Sequence, residues 1–266
     1  MTDIRLLISD VDGTLVRSDK TLSDAVIAAA GRLEAAGIMM SLISARPPSG
    51  IGWIAGRLGL KGAIGAFNGG TLLGGDGSIL RAERLAADTA AAALSAIDRP
   101  DVIKWLFADG QWHTDRLDDH YTPRERRSAN QEPVVCTDFG RFLDRVDKIV
   151  AVSADHAMLA GLEAAVAGTL GDGANVARSQ PYYLDITAPA ANKGDGVAAL
   201  AEAAGVTLDE VVVIGDQYND LPMFRRAGRA IAMGQAPEDV RRAAADVTDS
   251  NDEDGVASAI DRLLAR

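Results

Sequence analysis

The chain has 266 residues, 47% of them hydrophobic, a formal net charge of -11 and one cysteine, Cys136. That length supports one large domain or two moderate ones around a sizeable core, and the acidic balance argues against a protein that grips nucleic-acid phosphates. One cysteine makes no internal disulfide; with no signal-peptide pattern and no apolar run near the roughly 18 to 20 residues of a membrane span, a soluble cytoplasmic protein is expected.

In chain order, a strand over about Arg5 to Ser9 stops at Asp10-Val11-Asp12-Gly13-Thr14. Asp10 and Asp12 stand two apart, the side-chain period of an extended chain, so both carboxylates can converge where the strand ends. Gly13 lets the backbone turn there. Ser23 as N-cap and Gly37 as stop frame a crossover helix, and Ile38 to Ile43 is a nearly continuous apolar strand ending at Ser44-Ala45-Arg46. Pro47 and Pro48 suit the start of a helix to about Leu58, whose free N-terminal amides beside Ser44 can receive an anion. A short strand from Ala63 to Phe67 and a hairpin over Thr71 to Arg81 follow. This alternation is the pattern of a doubly wound α/β fold.

The middle of the chain reads differently. An alanine-rich helix near Ala86 to Ile97 precedes two strand-like runs joined at Asp109-Gly110, then an irregular segment from Asp115 to Pro133. A strand near Lys148 to Ser153, a helix from about Asp155 to Ala167, and strands near Ala174 to Arg178 and Tyr182 to Thr187 complete an α+β unit. After Pro189 come a helix over Gly194 to Ala204 and a buried strand, Val211 to Ile214, ending at Gly215-Asp216-Gln217-Tyr218-Asn219-Asp220. A short helix over Leu221 to Ala227, a strand over Arg229 to Met233 and two further helices close the pattern. The expected division is a doubly wound, mostly parallel, Rossmann-like core over 1–82 and 189–266, with an inserted α+β cap over 83–188.

In a parallel sheet all these strand ends lie along one edge, so Asp10, Asp12, Ser44, Asp216, Asn219 and Asp220 can share a pocket, with Lys193 at the start of a helix. Clustered carboxylates repel unless a cation neutralises them, and hard oxygen ligands in this number suit Mg2+. Zinc is not indicated, because His113, His120 and His156 are scattered and Cys136 is alone. Magnesium beside an anion-binding helix start and a lysine points to phosphate chemistry. One aspartate can attack phosphorus while a second carboxyl moves the proton.

These residues resemble the four motifs of the haloacid-dehalogenase-like superfamily of phosphohydrolases: Asp10 to Thr14 the first, Ser44 the second, Lys193 the third, and Gly215 to Asp220 the fourth. Further segments, among them Phe67-Asn68-Gly69-Gly70, Asn192-Lys193-Gly194 and Ala232-Met233-Gly234-Gln235-Ala236, resemble its Cof-like branch. The resemblance covers both ends of the core, and the cap in general pattern only. It implies Asp10 as nucleophile, Asp12 as general acid/base, and Ser44 and Lys193 as phosphate-binding residues with Asn219 at the same site. It further implies a metal held by the Asp10 and Asp216 carboxylates and the Asp12 main-chain carbonyl, with Asp220 in support. Ser44 stands where threonine is commoner, and Ala45 where glycine is usual.

Arg46 either reaches the substrate or pairs on the surface. Trp105 and Trp112 read as core, and Arg124, Arg126 and Arg127 as solvated. Arg178, Tyr182 and Tyr183 lie near the return from cap to core. The expected activity is Mg2+-dependent hydrolysis of phosphomonoesters of small metabolites, sugar phosphates foremost, with no nucleic-acid or membrane partner. A phosphomutase, a sugar-phosphate-conjugate phosphatase and a noncatalytic metabolite-binding protein are the rival readings. Oligomeric state is not legible in the sequence.

Overall fold

Why the apolar runs become a parallel sheet is visible in their burial. The computed structural model describes residues 3–118 and 120–265. In it β1 (Leu6–Ser9) and β12 (Val211–Gly215) are buried at every position, as strands covered by helices on both faces must be. The core sheet has the order β14-β13-β12-β1-β2, adding β2 (Met39–Leu42), β13 (Arg229–Ala232) and β14 (Asp246–Val247). All its pairings are parallel; Leu7 lies opposite Val212 on one side and Met40 on the other.

Helices α1 (Asp24–Ala35), α2 (Pro48–Leu58), α6 (Lys193–Ala204), α7 (Leu221–Arg226), α8 (Glu238–Ala243) and α9 (Gly255–Leu264) surround this sheet. Ser23 caps α1 by accepting from Val26 N at 3.2 Å, as its sequence position requires. A three-stranded antiparallel sheet, β3 (Ile64–Ala66), β4 (Thr71–Leu73) and β5 (Ile79–Ala82), joins the core through a bridge between Ile43 and Gly65.

The inserted α+β unit is built on a six-stranded sheet of order β10-β11-β9-β6-β7-β8. Its strands are β6 (Ile103–Ala108), β7 (Gln111–Thr114), β8 (Val134–Val135), β9 (Val146–Val152), β10 (Asn175–Gln180) and β11 (Tyr183–Thr187). Asp109 and Gly110 turn β6 into β7 with φ of 54° and 72°, the left-handed pair a two-residue hairpin needs. Alternation then sorts the side chains onto two faces. Leu106, Ile149, Ala151, Leu184 and Ile186 pack with α3 (Ala87–Ala96) and α5 (His156–Leu170). Trp105, Phe107, Trp112, Val150, Val152 and Tyr183 face the other way and join the hydrophobic cluster of the core, where Phe107 meets Phe67 at 5.5 Å between ring centroids.

One expectation fails here. The segment from Asp115 to Pro133, expected to be irregular, contains α4 (Tyr121–Ala129). Asp118 organises its start: one carboxylate oxygen accepts from the backbone N–H groups of His120 and Tyr121, the other from Thr122. Among the described residues no helix is long and apolar enough to cross a membrane.

Candidate active site

Strand ends deliver the charged groups to one place. Asp10 follows β1 directly, its backbone N–H bonded to Ile214 O at 2.9 Å, so it sits beside the end of β12 where Asp216 emerges. Lys193, the first residue of α6, is 2% exposed, a position a lysine tolerates only when paired. Its ammonium lies 2.7 Å from Asp10 Oδ1 and 2.6 Å from Asp220 Oδ1. The other oxygen of Asp220 accepts from the backbone N–H groups of Asp216 and Gln217, at 2.8 and 2.9 Å, so that carboxylate is fully engaged. Thr14 donates to Asp216 Oδ1 at 2.9 Å.

Gly13 matters twice at this turn. Its φ is +82°, and a Cβ there would lie 2.5 Å from Asp216 Oδ2. Any larger residue would displace the carboxylate.

Carboxylate oxygens of Asp10, Asp216 and Asp220 lie within 4.8 Å of one another and are buried. Burial pushes Asp10 well above the ordinary carboxylate range; Lys193 pulls it back, while Asp220 and Asp216 add to the rise. Asp216 is pushed up to about 6, by burial first and then by Asp220. Crowded oxygens that hold protons this readily form a hard-donor set short of positive charge, which fits a divalent cation.

Asp12 belongs to a different network. Burial opposes its charge, but hydrogen bonds and attraction from Arg46, then Lys20, outweigh that and hold its carboxyl well below the usual range. Arg46 grips it with a fork, Nε to Oδ2 at 2.7 Å and Nη2 to Oδ1 at 2.8 Å, and Lys20 Nζ lies 2.7 Å from Oδ1. Arg46 is 5% exposed, so it is not a surface pair, and its fork is committed to Asp12. Ser44, also buried, accepts from the backbone N–H of Arg46 at 3.2 Å through its hydroxyl oxygen. The helix start expected beyond it is present, with Pro47 as cap residue of α2.

Asp10, Asp12, Ser44, Arg46 and Asn219 line a cleft of about 420 Å³, within the range of small-molecule sites. Lys193, Asp216 and Asp220 lie beneath it. The opposite wall comes from the inserted unit, and the sequence reading missed most of it: Glu125, Lys148 and Gln180 join Arg124 and Tyr182 there. Arg124 donates to the Tyr182 hydroxyl at 2.7 Å and also lies over that ring, while Arg178 turns away to Glu163. Lys148 pairs with Asp185 at 2.7 Å and donates to Ala45 O at 3.3 Å, a direct link to the loop carrying Ser44. Burial pushes Glu125 up to about 7, against the pull of Lys148.

The two walls also meet through backbone. A Cβ on Gly50 of α2 would lie 2.4 Å from Ser128 O of α4, and Ser49 Oγ donates to Ala129 O at 2.6 Å.

Comparison with known proteins agrees with this geometry. The family model described as haloacid dehalogenase-like hydrolase matches residues 7–260. An HMP-PP phosphatase from Cronobacter sakazakii is 30% identical over 87% of this chain and 85% of its own. The crystal structure of a haloacid dehalogenase-like hydrolase from Bacteroides thetaiotaomicron superposes with a TM-score of 0.88 at 31% identity, covering 98% of this chain and 100% of that one. A sugar phosphatase of subclass IIB shares the fold, with a TM-score of 0.85 at 21% identity over 98% of this chain and 100% of its own. The chain thus belongs to the haloacid dehalogenase-like hydrolase family and is one of its phosphatases.

Proposed function

We propose that the protein hydrolyses phosphomonoesters of small metabolites, sugar phosphates foremost, through a phosphoryl group carried on Asp10, with Mg2+ as cofactor and in the cytoplasm. The observation that carries this reading is the placement of Asp10: pinned through one oxygen by Lys193, next in the chain but one to Asp12, and open to the cleft. The other carboxylate oxygen attacks phosphorus as the ester P–O bond breaks, and the leaving oxygen takes a proton from Asp12. Water then attacks phosphorus, gives its proton to Asp12, and frees Asp10 and inorganic phosphate.

Lys193, the Ser44 hydroxyl and Asn219 bind the phosphoryl oxygens, and the amides at the start of α2 face the same charge. In this reading Asp10 and Asp216, with the Asp12 main-chain carbonyl, hold the metal, because Asp220 is already occupied by Lys193 and two backbone N–H groups. Mg2+ there would neutralise charge on the phosphoryl oxygens. Asp12 is ionised while Arg46 and Lys20 hold it, the state that accepts a proton from water; to act as the acid it first takes up a proton from solvent as that grip loosens.

The domain division belongs to the same proposal: 1–82 and 189–266 form the catalytic core and 83–188 a cap that closes over it to exclude water. Phosphate release from a panel of phosphorylated sugars, nucleotides and cofactors, with Mg2+ or chelator, tests the reading. Asp10→Asn should abolish the Mg2+-dependent release, by a factor of about 10³ or more. Full activity in that variant would sink the mechanism.

A further inference from the structure

Most charged side chains along the cleft already have partners in the protein. Lys193 serves Asp10 and Asp220, Arg46 and Lys20 serve Asp12, Lys148 serves Asp185, and Arg124 is shared between the hydroxyl and the ring of Tyr182. Glu125 and Arg127 differ: among the described residues neither has a hydrogen bond or an ion pair, and of the two Arg127 is exposed to water whereas Glu125 is half-buried. Glu125 comes from α4 of the inserted unit and lines the cleft with Lys148, Asp12 and Arg46, whose charges act on it, whereas Lys193 is not among the lining residues.

A carboxylate half-withdrawn from bulk water and without a donor from the protein gains when a ligand supplies one. What the cleft lacks at this point is therefore a hydrogen-bond donor. Phosphoryl oxygens offer none, and they belong at the other end, with Lys193 and Ser44. The group that reaches Glu125 is the leaving group.

We infer that Glu125 is the specificity-determining residue of the leaving-group pocket, accepting hydrogen bonds from the hydroxyls of a neutral sugar or polyol. This rests on the phosphomonoesterase reading above. It also sets a limit: once Glu125 is ionised, a leaving group that carries its own negative charge, as in a diphosphate ester, meets an acceptor where it needs donors.

The test is a double-mutant cycle between protein and substrate. Hexose 6-phosphates and their monodeoxy counterparts are compared in the unaltered enzyme, E125Q and E125A, each as a ratio of kcat/KM values. The ratio does not depend on how much of a variant is folded. Hydrogen bonds to a charged group predict a preference of about tenfold or more for at least one hydroxyl in the unaltered enzyme. E125A should bring that ratio to near one, with E125Q between, because its amide oxygen still accepts.

A ratio unchanged in E125A would overturn the assignment, as would a preference of the unaltered enzyme for a diphosphate ester over every hexose phosphate. Release of phosphate from p-nitrophenyl phosphate with no preference for any hydroxyl overturns this inference alone. No Mg2+-dependent release from any substrate overturns the phosphatase reading with it.

Discussion

The two walls of the cleft are built on opposite plans. On the core side, Asp10, Lys193, Asp216 and Asp220 are buried at strand ends or helix starts; Lys193 binds Asp10 and Asp220, Asp220 also accepts from backbone N–H groups, and Thr14 holds Asp216. On the cap side, Glu125, Arg124, Lys148 and Tyr182 come from α4, β9 and the turn before β11, and Glu125 has no hydrogen-bond or ion-pair partner among the described residues. The difference teaches where precision is stored. Chemistry needs fixed charges, and regular backbone supplies them cheaply; selection among leaving groups needs a surface that can vary without disturbing those charges.

Three experiments would break or sharpen that contrast. Lys193→Ala removes the hub of the core wall, and turnover should fall by about 10² to 10³. Lys193→Arg should not restore it, because a planar fork does not fit where a compact ammonium sits between two carboxylates. Activity close to the unaltered enzyme's, in a variant with an unchanged circular dichroism spectrum, would show that the core wall is not the rigid partner.

Gly50→Ala acts on the seam between the walls. A Cβ 2.4 Å from Ser128 O must push α4 back, even though alanine favours the helix itself. A loss of about tenfold in kcat/KM for a sugar phosphate is expected, since small displacements of binding groups are costly. No change would mean that α4 adjusts freely and the seam carries no positional information.

The smallest effect is thermal. Asp216, at about 6, and Glu125, at about 7, hold protons more readily in the folded protein than ordinary carboxylates do unfolded. Their stabilising contribution is therefore complete below the unfolded values near pH 4 and is lost as pH rises through 6 to 7. Asp12, shifted the opposite way, loses its contribution only as pH falls below about 4, outside this window. Metal-free protein should melt at higher temperature at pH 5 than at pH 7.5, and Asp216→Asn should flatten the slope. Added Mg2+ should raise the melting temperature more at pH 7.5, where protons no longer compete. A slope unaffected by Asp216→Asn would remove Asp216 from the account.

The same contrast explains what could be read beforehand. The core was legible because its strands are continuous apolar runs that end abruptly in Asp10, Ser44 or Asp216, and each ending marks both a fold element and a chemical group. The cap wall was not. Helix α4 buries only Tyr121, Thr122 and Ala129 among arginines, so it shows no apolar stripe; the signal that could have found it is Asp118 ahead of a proline, Pro123, in the first turn. Glu125 was hidden with it, between Arg124 and Arg126. Arg46 was left between substrate and surface because nothing local in Ser44-Ala45-Arg46 reveals that its partner is Asp12, 34 positions earlier.

The aromatic seam gives the molecule an optical consequence. Trp105 and Trp112, 1% and 0% exposed, stand on the sheet face that packs against the core, whereas Trp53 on α2 is 36% exposed and supplies a constant background. Indole emission shifts to longer wavelength when water reaches the ring. If the proposed cap opens far enough to wet that face, both indoles report it together, so intrinsic fluorescence can follow the motion with no label attached.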